Sequence, residues 1–176
     1  MKIIRNFKIL SFLLLLFISQ SIFAQGFYEE ILRYNNGRIK SIITYNTQNI
    51  KDGPTINYYS NGMVKNYIPY ENGKISGIIE NYFSDGILES TGMVLNDIAA
   101  GKFEYFHSNG KSKFIVYYDS GKLSHIVGCK NAKGDLLYCG PFNNGNGEIY
   151  IYDEKGILLA KDHFKKGEFI KREIVK

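Results

Sequence analysis

The mature part of the chain is a succession of short apolar runs, rich in β-branched and aromatic residues, separated by polar segments that close on glycine. Seven of these segments share one form: Tyr34-Asn-Asn-Gly37, Tyr59-Ser-Asn-Gly62, Tyr70-Glu-Asn-Gly73, Phe83-Ser-Asp-Gly86, Tyr118-Asp-Ser-Gly121, Phe142-Asn-Asn-Gly145 and Phe164-Lys-Lys-Gly167. Weaker versions are His107-Ser-Asn-Gly110, Asn131-Ala-Lys-Gly134 and Asp153-Glu-Lys-Gly156. Dipeptides such as Asn-Gly or Asp-Gly between apolar runs are the strongest short-range signal of a β-hairpin. From Gly62 the turn positions fall at 62, 73, 86, 97, 110, 121, 134 and 145, so steps of 11 and 13 alternate and the period is 24 residues. Asp97 takes a glycine's place, as Asp tolerates the left-handed conformation better than most residues. Asn49 and Gly37 extend the series upstream, and Gly156 and Gly167 downstream, where one long step has lost two residues. A second series, Gly53, Gly77 and Gly101, repeats the 24-residue spacing; His125 comes next, then Gly147 after the same loss.

A step of this length holds a strand of about 6–8 residues and its turn. Twelve turns predict up to thirteen strands between about Phe27 and Val175, and no stretch of the mature chain keeps a helical period. The predicted fold is all-β: an elongated antiparallel meander of stacked hairpin repeats in an open, twisted sheet, each unit packing mainly on the next. Two strands per repeat put equivalent residues about 10 Å apart, so that they form ladders. One ladder is Tyr58, Tyr82, Phe106, Lys130 and Tyr152; another is Tyr70, Val94, Tyr118, Phe142 and Phe164.

Residues 1–24 are set apart from this pattern. Lys2, Arg5 and Lys8 precede an apolar run over Ile9–Ile18, and Ala24 stands just before Gln25, the form of a cleaved signal peptide. The run is short for a membrane span, which needs about 20 apolar residues; an uncleaved anchor is the competing reading. Cleavage leaves one repeat domain over 25–176, exported to the periplasm or beyond, with no transmembrane span. It also changes the charge. The whole chain carries 22 basic and 17 acidic residues, net +5; the leader holds three of the basic ones and no acid, so 19 against 17 remain, net +2. Those charges are scattered, and no basic face for nucleic acid is expected. Cys129 and Cys139 lie five residues either side of Gly134. In an exported chain they are either a disulfide across the turn or two buried small hydrophobes.

The run Tyr70-Glu-Asn-Gly73-Lys74-Ile75-Ser76-Gly77, followed by Asn81-Tyr82-Phe83-Ser84-Asp85-Gly86, resembles the bacterial variant of the MORN repeat (membrane occupation and recognition nexus). The resemblance extends from Tyr34 to Gly167 and implies the hairpin-repeat fold. Some proteins of that kind are described as antitoxins of toxin–antitoxin pairs, so the resemblance also implies an antitoxin-like, immunity role as one reading. The chain departs from the pattern in having no Trp, in Asn49, Asp97 and His125 at glycine positions, and in the stretch from Gly128 to Pro141.

Little in the sequence points to chemistry. His107, His125 and His163 match no metal spacing. His107 stands where Tyr59 and Phe83 stand and replaces an aromatic ring; His125 projects a ring where neighbouring repeats have none. Asp85, Asp97, Asp119, Asp135 and Asp153 fall at turns, which explains them without calcium. Phosphate loops and nucleophile elbows are missing. No catalytic residue, cofactor or metal site is expected, and the chain reads as no enzyme. The aromatic ladders carry the functional reading. Cross-strand aromatic pairs stabilise a sheet by about 0.2–1 kcal/mol each, and an exposed row of tyrosines also suits an interface. Tyr58, Tyr82, Phe106, Tyr152, Tyr70 and Tyr118 are the candidate partner-binding residues. The expected partner is an unidentified envelope or secreted protein, with a glycan or the cell wall as the alternative.

Overall fold

The computed structural model describes residues 26–175, so the predicted leader lies outside the described residues. The strands, in chain order, are β1 (Phe27–Arg33), β2 (Ile39–Asn46), β3 (Lys51–Tyr58), β4 (Val64–Glu71), β5 (Lys74–Ile75), β6 (Gly77–Tyr82), β7 (Leu88–Leu95), β8 (Ile98–Phe106), β9 (Ser112–Asp119), β10 (Lys122–Val127), β11 (Phe142–Asn143), β12 (Asn146–Tyr152), β13 (Leu158–Lys165) and β14 (Glu168–Ile174). Within each of two sheets, β1–β10 and β11–β14, neighbours pair antiparallel in sequence order. β5 and β6 are one pass of the chain interrupted at Ser76, so the array has thirteen passes and no helix among the described residues. This is the meander that the turn spacing predicts.

The ten turn glycines belong to two geometries on opposite edges of the array, not to one repeated unit. At 72–73, 96–97, 120–121, 144–145 and 166–167 both central residues have positive φ, for example 49° and 84° at Asn72 and Gly73. These are two-residue hairpins, whose backbone twist matches that of the strands they join. At Gly37, Gly62, Gly86, Gly110, Gly134 and Gly156 only the glycine has positive φ, and its N–H donates to the carbonyl three residues back. All of these wider turns but the one at Gly134 are followed by a register shift; Lys65 in β4 and Glu89 in β7 are unopposed. A wide turn with its bulge consumes more chain than a two-residue turn, which accounts for alternating steps of 13 and 11.

Both edges clip one repeat to the next. On the two-residue edge, the N–H groups of Gly73, Asp97 and Gly121 donate to the carbonyls of Lys51, Ile75 and Ala99. On the other edge, the Tyr34 hydroxyl donates to Tyr58 O at 2.6 Å and the Tyr59 hydroxyl to Tyr82 O at 2.6 Å. His107 takes the same place in its repeat, with Nε2 2.8 Å from Lys130 O. A carbonyl only accepts, so Nε2 carries the proton. The ring is 2 % exposed, and it replaces an aromatic as the sequence suggests.

The sheet has one packed face, here the inner face. Val94, Phe103, Val116, Leu123 and Ile149 form its core, with Ile79, Tyr105, Phe114, Tyr118, Phe142 and Phe164 packed around them. Towards the amino end the same face turns polar. Asn57 Nδ2 donates to Asn66 Oδ1 at 2.7 Å, and Asn81 Nδ2 to Ser90 Oγ at 2.9 Å. Along this row Ser90 pairs with Tyr105, and Tyr105 stacks on Phe114 with ring centres 4.7 Å apart. The core is therefore concentrated in the later repeats.

Hydrogen bonding divides the array into a ten-stranded sheet, β1–β10, and a four-stranded sheet, β11–β14. The division coincides with His125. Gly53, Gly77 and Gly101 have positive φ at the equivalent point, whereas His125 does not, and β10 instead skips Ser124 in its pairing with β9. The chain then leaves the ladder over 128–141, where Cys129 and Cys139 are joined by a disulfide with Cα atoms 5.5 Å apart. Leu123 and Ile149 in one core cluster carry the packing across the division.

Candidate functional site

The two aromatic ladders lie on opposite faces. Tyr58, Tyr82, Phe106 and Tyr152 follow the alternation of Ile56, Glu80, Glu104 and Tyr150, which turns them outward. Val94, Tyr118, Phe142 and Phe164 of the other ladder face inward, into the core. Tyr118 meets Phe103 edge-on at 5.0 Å, and Phe142 meets Phe164 at 5.5 Å. Tyr118 is therefore a packing residue, removed from the candidate partner surface. Tyr70 pairs with Gly53 on the inner face as well, with the Lys51 ammonium 4.8 Å from its ring centre. A period of 24 with two strands per repeat assigns ladders but not faces, and only the two-residue alternation within a strand separates them.

On the outer face β3, β4 and β6 form a groove of about 450 Å³ lined by Ile56, Met63, Val64, Tyr67, Glu80 and Tyr82. Each side chain has a positional cause. Ile56 pairs with Tyr67, and Tyr67 with Glu80, giving one row across three strands. Tyr82 follows Glu80 on the same face and donates its hydroxyl to Glu80 Oε2 at 2.7 Å. That bond raises the Tyr82 pKa above the ordinary tyrosine range, with burial adding to it. Met63 follows the turn glycine Gly62, and its methyl lies where a side chain on Gly86 would begin. The lining thus combines the half-exposed Met63 thioether, aliphatic and aromatic side chains, and one carboxylate.

Of the predicted partner-binding residues, Tyr82 alone lines this groove, beside the turn glycines Gly62 and Gly86. Ile56, Met63, Tyr67 and Glu80 were not singled out in the sequence, although Ile56 and Glu80 stand two residues before Tyr58 and Tyr82 and share their face. Tyr152 is in the other sheet, its hydroxyl donating to Tyr138 O at 2.7 Å. It helps line a smaller cleft of about 230 Å³ with Lys113, Lys130 and Tyr150. His125 is exposed beside Ser124, and His163 lies between Glu148 and Glu173 at 3.7 and 3.3 Å. Among the described residues no three His, Cys, Asp or Glu side chains are grouped to hold a metal. The groove offers apolar contact and one acidic acceptor, which is chemistry of recognition.

Two segments of the chain, residues 51–72 and 100–120, match the family model described as the MORN repeat variant. No curated protein matches the chain. The first segment spans β3, a wide turn and β4; the second spans β8, a wide turn and β9, so both fall at the same phase of the repeat. MORN repeats are non-catalytic modules that generally serve protein or membrane interaction. On these matches and on its hairpin array, the chain is similar to the MORN repeat variant proteins.

Proposed function

We propose that this is an exported, non-enzymatic interaction protein that holds a segment of another envelope or secreted protein in its outer groove. The observation that carries this reading is the Glu80–Tyr82 pair within an otherwise apolar groove. An apolar cleft with few placed polar groups is the usual form of a recognition site. Glu80 is acceptor-only when ionised, and the Tyr82 hydroxyl satisfies one of its oxygens. The remaining acceptor capacity suits a lysine or arginine flanked by apolar side chains. The basic and apolar halves of residues 1–18, followed by Ala24, support export. The test is recovery of partners from envelope extracts by the wild-type chain, by Glu80→Gln and by Tyr67→Ala/Tyr82→Ala. The reading expects a discrete partner lost from both variants. An identical set of proteins on all three baits would overturn it. Amino-terminal sequencing of the secreted or periplasmic protein checks export, with Gln25 expected first.

A further inference from the structure

The two ends of the array are edge strands, and they are not alike. Every residue of β1 and of β14 is exposed. β14 carries a register shift opposite His163 and Phe164, and Arg172 is held by Asp162 at 2.6 and 2.7 Å. Bulges and charge are the ordinary protection of an edge. β1 carries charges in Glu29, Glu30 and Arg33 but no bulge of its own: from Phe27 to Leu32 its pairing with β2 is regular, and Phe27, Tyr28, Ile31 and Leu32 are 51, 46, 46 and 40 % exposed. Glu29 and Arg33 enter none of the ion pairs formed among the described residues.

Topology limits what the β1 edge accepts from a second copy. Thirteen antiparallel passes make β1 and β14 run in the same direction, so end-to-end stacking would pair them in parallel. Antiparallel continuation of the sheet requires β1 beside β1 of the other copy, about a two-fold axis normal to the sheet. The register follows from the backbone and the charges. Tyr34 donates its N–H to Arg38 O and accepts from the Gly37 N–H, on the side of the turn into β2, so by alternation the groups of β1 that point away from β2 belong to Phe27, Glu29, Ile31 and Arg33. A two-fold at Glu29 or Glu30 sets like carboxylates directly opposite. A two-fold at Ile31 sets Glu29 opposite the partner's Arg33, twice, and joins Ile31 to its mate as a hydrogen-bonded pair.

We propose that the free edge of β1 pairs antiparallel with β1 of a second copy, centred on Ile31 with Glu29 of each chain opposite Arg33 of the other. The surface is separate from the Glu80 groove, so either can hold without the other.

The test uses the full chain with its native disulfide, in sedimentation equilibrium and thiol trapping. Ile31→Cys brings two thiols together at a hydrogen-bonded pair about 5.5 Å apart between Cα atoms, within disulfide reach. A linked dimer is expected there on mild oxidation, and not for Glu30→Cys or Ile174→Cys. Glu29→Arg turns two cross-strand attractions into repulsions and is expected to weaken dimerisation about tenfold. Glu29→Arg/Arg33→Glu restores it. Ile31→Pro removes an N–H that points away from β2, so it abolishes the dimer while the far-ultraviolet dichroism stays that of the parent. A monomer at all concentrations, linkage through position 174 instead of 31, or failure of the double reversal to recover what the single one loses would each overturn the proposal.

Discussion

Replacing His107 with Phe keeps an aromatic ring in a buried place and removes one N–H. The ring is 2 % exposed and Nε2 lies 2.8 Å from Lys130 O, so the variant leaves that carbonyl desolvated and without its donor. A buried polar group stripped of its partner costs about 1–3 kcal/mol. Taking about 2 kcal/mol, and about 2–4 °C per kcal/mol for a chain of this length, the thermal midpoint falls by roughly 4–8 °C. His107→Tyr restores the donor that Tyr34 and Tyr59 use in their own repeats and is expected to recover at least half of the loss. Phe83 sits in the same row without a hydroxyl, so Phe83→Tyr is expected to gain about 0.5–1.5 kcal/mol by reaching Phe106 O. Urea titration followed by far-ultraviolet dichroism measures all three against the parent. Equal losses in His107→Phe and His107→Tyr, with no gain in Phe83→Tyr, would show that this edge is held by packing alone and refute the clip between repeats.

Other consequences are as direct. A β-carbon on Gly147, where φ is 114°, would clash with Pro141 O, far inside van der Waals contact. Gly147→Ala is expected to cost over about 3 kcal/mol in urea titration, against about 1 kcal/mol for Gly101→Ala, where the space is open. Cys129→Ser/Cys139→Ser frees the segment over 128–141 and is expected to cost about 3 kcal/mol, from closure of a short loop, with proteolytic cuts appearing first between those positions. The Tyr105 hydroxyl is pushed up to about 12, chiefly by burial, against about 10 in an unfolded chain. Between those values the unfolded chain releases a proton that the folded one keeps. Stability is thus full below pH 10 and falls as pH rises towards 12. Denaturation at stepped alkaline pH is expected to show that slope, made shallower by Tyr105→Phe.

Most of the fold was legible because its signal is repeated. Asn-Gly and Asp-Gly recur at fixed phase, and each recurrence reports the same local backbone requirement, so the strand order followed from spacing alone. The difference between the two edges was present in the 11 and 13 steps, and their physical meaning lies in turn geometry: paired positive φ at Asn72-Gly73, a single one at Gly62. Faces were harder to read. Tyr58 and Tyr70 are both aromatic and both periodic, yet one points out and the other in, because bulges such as those at Lys65 and Glu89 reset the alternation between one turn and the next. The polar row through Asn57, Asn66, Asn81 and Ser90 was invisible to a reading that seeks apolar cores, since its members satisfy one another across strands. The groove depends on Ile56, Tyr67 and Glu80 from three strands, and no single repeat contains that row.

The most direct test of the outer groove as a partner site is photocrosslinking in living cells. A photoreactive residue replaces Met63, at the groove rim and 42 % exposed, and in a second strain Leu136, 77 % exposed on the segment over 128–141. One discrete protein adduct is expected from position 63, abolished when Glu80→Arg is added, and none of that protein from position 136. The same adducts from both positions, or an adduct at 63 that Glu80→Arg leaves unchanged, would contradict it.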